Sequence, residues 1–133
     1  MQKQKQKAQE FPLIVCKVRN EKNFYLTYTS KIKIVEISNF FEKKFDISFV
    51  EHSSDYLEDY YSYEGLFCDD LKLLNNKLPD DDFQITDSEV ITILKLGFFN
   101  GKNKEKQSRC EFMKGQLENV DELSLYSFDI FEE

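Results

Sequence analysis

His52 is the only histidine in a chain of 133 residues, so imidazole chemistry runs through it or not at all. A serine or cysteine nucleophile needs an activating base and a third group to orient that base. His52 stands in the acidic stretch SFVEHSSDYLEDYY without a Cys or Ser partner motif, which reads as a surface histidine. The carboxylates Asp80, Asp81 and Asp82, and the pair Asp69 and Asp70, are oxygen donors of the type hard cations take. They lack the Asp-x-Asp-x-Asp-Gly spacing of a calcium loop and read as solvated corners. Cys16, Cys68 and Cys110 are far apart and odd in number. That is neither a disulfide framework nor a zinc spacing, and it fits reduced thiols in the cytoplasm or nucleus. No glycine-rich phosphate loop or paired acid/base motif is present. The sequence therefore predicts a protein that is not an enzyme, with no catalytic residue, cofactor or metal.

Binding chemistry is the remaining class. Lys3, Lys5 and Lys7 form one basic run, and Lys102, Lys104, Lys106 and Arg109 another. Between them the chain is acidic, and its net charge is −7. Such a surface repels phosphate backbones, so the central domain is not expected to bind nucleic acid. The basic runs read as solubilising tails. Tyr56, Tyr60, Tyr61 and Tyr63 are stacking platforms by type, but Asp55, Glu58, Asp59 and Glu64 are interleaved with them, which favours packing or a protein contact. The opening MQKQKQKAQE has no apolar core of a secretory signal, and no apolar run approaches the roughly 20 residues of a membrane helix. No membrane contact is expected.

The elements that would position these groups follow from periodicity. Hydrophobic residues make up 41% of the chain and aromatics 15%, enough for a core. Residues 1–10 form a polar Lys/Gln arm of disordered composition. FPLIVCKVR (11–19) and FYLTYT (24–29) read as two strands of a hairpin. In KIVEISNFFEKKF the apolar Ile34, Ile37, Phe41 and Phe45 recur at helical steps, which predicts a helix over about 33–45. Its β-branched residues lower helix propensity, so packing must hold it. Residues 48–70 read as an irregular acidic, Tyr-rich insertion, with a short helix around Tyr56–Tyr61. Leu71–Leu74 is a strand and Asn75-Asn76 a tight turn, because Asn tolerates positive φ. Lys77-Leu78 begins a very short return strand that Pro79 ends, Ile85 plugs the core, and Val90–Leu96 is the last and most apolar strand. Residues 98–109 read as a charged linker. Residues 110–133 mix acids with aromatics and are expected to dock, on their own domain or on a partner.

Hairpin, helix, strand, tight turn, short strand and closing strand is the order of the β-grasp. Over 11–97 the chain resembles the ubiquitin-like superfamily, on the hairpin and its Ile34/Ile37/Phe41 helix, on LKLLNNKLPDD, and on FQITDSEVITILKLG. The resemblance implies an α+β fold, a mixed sheet of four to five strands with one main helix packed across it. It departs from conjugated members in lacking a Gly-Gly: Gly97 is followed by Phe98-Phe99-Asn100-Gly101, so adenylation and conjugation are not expected. A noncatalytic protein–protein interaction module follows, a subunit or adaptor of a larger assembly. The scarcity of alanine (Ala8 alone) beside abundant Lys, Asn, Ile, Phe and Tyr points to AT-rich codons and a eukaryotic microbe. The expected partner contacts are Leu73, Lys77, Leu94 and Leu96 on the sheet and Tyr126, Phe128, Ile130 and Phe131 in the tail. The alternative is an RNA- or ribonucleoprotein-associated component that touches nucleic acid through its basic arms.

Overall fold

The computed structural model describes residues 20–53, 59–65, 67–78 and 82–132. The expected arm at 1–10, the strand at 11–19, Tyr56 and the corner residues Asp80 and Asp81 lie outside the described residues. Within them the elements are β1 (Lys22–Ser30), α1 (Ile34–Phe45), β2 (Val50–His52), β3 (Tyr60–Tyr63), β4 (Asp70–Asn75), β5 (Thr92–Phe98), α2 (Asn103–Glu118) and β6 (Ser124–Glu132). The strands form one six-stranded sheet in the order β2-β3-β4-β5-β1-β6. The fold is α+β, and every strand pairing described is antiparallel.

Strand alternation sorts the sheet into two faces. Leu26, Leu96, Leu71 and Tyr63 form one row across β1, β5, β4 and β3, and Tyr28, Leu94, Leu73 and Tyr61 the next. These rows meet both helices in a single core that includes Ile37, Phe41 and Phe45 of α1 and Cys110, Met113 and Leu117 of α2. Phe41 is fully buried and stacks on Phe45 at 5.4 Å. Glu36 in the first turn of α1 and Lys43 and Lys44 in the last complement the helix dipole. Asp46 ends the helix with a φ of 55°, the left-handed conformation that Asp tolerates.

Four expectations are corrected. In place of a mixed sheet of four to five strands under one main helix, the described residues give six antiparallel strands and two helices. Residues 103–109 are not linker but the first half of α2, whose buried stripe is Lys106, Cys110, Met113 and Leu117. The Glu105 carboxylate accepts the Lys102 N–H at 3.0 Å and caps its start. Asn103 straps α2 to the beginning of β1, accepting the Lys22 N–H and donating to the Asn20 carbonyl. Of the short helix expected around Tyr56–Tyr61, the described Tyr60 and Tyr61 lie instead in strand β3, and β2 is a further strand in the insertion.

The fourth correction concerns Asn76. Asp46 is the non-glycine residue with positive φ among those described, so Asn76 makes no left-handed turn. Its side chain is buried and works as a hub. Nδ2 donates to the carbonyls of Ile85, Asp87 and Val90, and Oδ1 accepts the Ile85 N–H at 2.7 Å. The hub holds the connection to β5 above a small second cluster of Leu74, Val90 and Ile93, against which Ile85 packs.

Candidate protein interface

The residues expected to meet a partner fall into two groups. Leu73, Leu94 and Leu96 do not: each lies in the core, and Leu94 and Leu96 are 1% exposed. Both strand parities carry apolar residues because the helices cover one and the Asn76-held segment covers part of the other. Lys77 is exposed and sits on an isolated bridge to Phe83, outside the named strands.

That remaining group lies together on β6. Phe128 is 43% exposed, Ile130 50%, and Tyr126 and Phe131 60% each, with Leu125 beside them. β6 pairs with β1 along its whole length, Lys22 opposite Glu132 and Thr29 opposite Ser124, with a bulge between Thr27 and Tyr28. Among the described strands it is the outermost, and no described strand pairs with its far edge. Leu125, Phe128 and Ile130 stand opposite Tyr28, Leu26 and Phe24. They continue the core rows past the shelter of α2. Phe128 stacks on Phe24 at 6.5 Å and lies under the Lys114 ammonium at 5.5 Å. On the other face Phe131 meets Tyr25 edge-on at 5.5 Å. A depression of about 300 Å³ between α2 and β6 is lined by Tyr28, Leu117, Leu123 and Leu125 with Lys114 and Glu118 beside them. An apolar strip with a polar rim at a sheet edge is suited to strand addition.

The second basic run is dismantled by the fold. Lys106 is buried, its ammonium 3.3 Å from Asn23 Oδ1 and 3.8 Å from Glu21. Arg109 makes a bidentate pair with Asp69 at 2.9 and 3.0 Å and also donates to the Asn100 carbonyl. Asp69 further accepts the N–H groups of Phe99 and Asn100. Burial pushes the Asp69 carboxyl upward, but the Arg109 guanidinium and these two backbone donors outweigh it, and the net shift is downward. Lys102 and Lys104 alone of this run face solvent, which is no phosphate track.

One pairing escaped the sequence. The antiparallel β2–β3 register brings His52 Nε2 to 2.7 Å from Ser62 Oγ and lays the imidazole on the Tyr60 ring at 4.8 Å. A working dyad adds an orienting carboxylate and oxyanion donors. Ser62 sits instead within strand β3, facing Lys72 of β4, so the pair is a cross-strand hydrogen bond. Cys68 and Cys110 are buried free thiols. Burial pushes them up to about 12 and about 11, which holds them in the unreactive protonated form. Among the described residues no cluster of three or more His, Cys, Asp or Glu is arranged to hold a metal, and no helix is long and apolar enough to cross a membrane. No family, curated protein or solved structure matches the chain.

Proposed function

We propose that this chain is a noncatalytic interaction module of ubiquitin-like type, a subunit or adaptor of a larger eukaryotic assembly, that docks protein along the outer edge of β6. The observation that carries the reading is the strip of Leu125, Tyr126, Phe128, Ile130 and Phe131, exposed on an edge strand. A long apolar edge is an aggregation hazard that proteins usually blunt or cover, so a partner is its natural cover. The ubiquitin-like part rests on the order β1, α1, β4 and β5 with α1 lying over the sheet; the chain departs from it in the antiparallel pairing and in β1, whose two edges pair with β5 and β6 and leave none for the expected hairpin partner. The burial of Lys106 and the capture of Arg109 by Asp69 weigh against the ribonucleoprotein alternative, as does the net charge. The test is nuclease-treated affinity purification of the full chain beside its Phe128→Lys variant. Protein recovered with the first and lost with the second supports the proposal. Recovery that depends on intact RNA overturns it.

A further inference from the structure

FPLIVCKVR (11–19), outside the described residues, is an apolar run of strand-forming composition that leads directly into Asn20 at the head of β1. A hairpin with β1 is closed to it, because β5 takes one edge of β1 and β6 the other. The head of β1 is fixed in place: Asn103 donates to the Asn20 carbonyl and accepts the Lys22 N–H. Lys22 stands opposite Glu132, so the chain before Asn20 departs from the end of the sheet at which β6 finishes. A strand beyond β6 lies two strand spacings from β1, about 10 Å, which three extended residues span. The far edge of β6 carries Phe128, Ile130 and Phe131 about half exposed, and no described strand pairs with it.

We propose that residues 11–19 cover this edge in the free chain as a further strand parallel to β6, and that a protein partner docks by taking their place. This rests on the reading of β6 as a docking edge and adds its regulation. The direction follows from connectivity: β6 runs toward the head of β1, and so does any segment that ends there. The faces agree. Ile14, Cys16 and Val18 form an apolar parity, and Leu13, Val15, Lys17 and Arg19 form the other. On β6, Phe128 and Ile130 share the helix face with Leu26 and Phe24, whereas Ser127, Asp129 and Phe131 lie on the open face. With Ile14, Cys16 and Val18 on the helix face, aliphatic side chains meet aromatic ones. Lys17 and Arg19 then share the open face with Asp129, which is exposed. The same direction carries Lys3, Lys5 and Lys7 toward the start of β6, beside the exposed Asp121 and Glu122, so charge is complementary at both ends. A tether of a few residues gives the segment a high effective concentration at the edge, which keeps an apolar edge covered until a partner arrives. A parallel ladder is slightly weaker per residue than an antiparallel one, which leaves room for exchange.

The test is hydrogen exchange on the full chain, read at the β6 amides that β1 does not bond, beside an Ile14→Pro/Val15→Pro double variant. Of two adjacent strand residues one aims its N–H at β6, and proline removes that donor. The expected result is exchange at those amides roughly tenfold or more slower in the wild type than in the double variant, with β5 unchanged and more partner protein recovered by the variant. Disulfide trapping adds a readout of the faces. Phe128→Cys or Ile130→Cys is expected to join the native Cys16 within one chain on mild oxidation, whereas Phe131→Cys, on the open face, is not. Fast exchange along β6 in the wild type overturns the proposal, and so does slow exchange indifferent to the two prolines. If the edge is open yet Phe128→Lys still loses a captured protein, the docking reading stands and the cover alone is wrong. If the prolines uncover the edge and no more protein is captured, exchange with a partner is overturned, and the docking reading falls with it.

Discussion

Leu94 and Leu96 of β5 and Phe128 and Ile130 of β6 are similar residues on the same face of one sheet, with only β1 between their strands. The first pair is sealed beneath α1 and α2, and the second is about half exposed. The difference is position under the helices rather than chemistry. The row Phe128, Leu26, Leu96, Leu71 and Tyr63 runs unbroken across five strands, but helical cover stops short of its β6 end. An apolar residue in the middle of that row contributes to stability, whereas one at its end is available for contact. Alternation along a strand tells which residues share a face. It does not tell how far across the sheet the cover extends.

Mutations at the two ends of that contrast are expected to separate stability from association. Phe41→Ala, in the centre of the core, should cost roughly 3–5 kcal/mol, measured by urea unfolding. A loss below about 1 kcal/mol would mean that α1 does not seal this face. Asp69→Ala should cost about 2 kcal/mol, because it strips Arg109 of a bidentate partner and orphans two backbone donors. The Asp69 carboxyl titrates below its unfolded value. Its stabilisation is therefore complete above about pH 4 and is lost as pH falls through the lower folded value. The stability gap between wild type and Asp69→Ala should close on acidification, and a gap independent of pH would remove the ion pair from the account. Gly115→Ala should gain up to about 1 kcal/mol, since an added Cβ there meets nothing within 4 Å. Phe128→Lys should cost about 1 kcal/mol, because it gives up the stack on Phe24 and brings a second ammonium beside Lys114, while abolishing association. A large loss of stability would place Phe128 with Leu94 and erase the contrast.

How much of this was legible depended on how cleanly each segment repeats. α1 occupies Ile34–Phe45, where the spacing of Ile34, Ile37, Phe41 and Phe45 put it, and β1, β4 and β5 lie within two residues of their apolar runs. α2 was hidden because its buried stripe begins with a lysine and a cysteine. Lys106 reads as solvated until Asn23 and Glu21 are seen to close over it, and Gly115 argues against a helix. β3 was misread because its Tyr-rich strand shares residue types with a half-buried helix, and only pairing with β4 decides between them. Tyr126, Phe128, Ile130 and Phe131, expected as contacts from the density of aromatics in polar surroundings, lie exposed together on β6. Leu73, Leu94 and Leu96 were misassigned because one exposed parity was presumed, and burial by α2 was not visible in a segment taken for linker.

The Asn76 hub has a consequence for the time course of folding. Its amide meets carbonyls 9, 11 and 14 positions downstream, in the segment that joins β4 to β5, and it is expected to close once those strands have paired. The strap is then absent from the rate-limiting step, and its loss in Asn76→Ala should accelerate unfolding while leaving the refolding rate nearly unchanged. A single amide would in that case act as a latch on the lifetime of the folded chain rather than as a guide to reaching it.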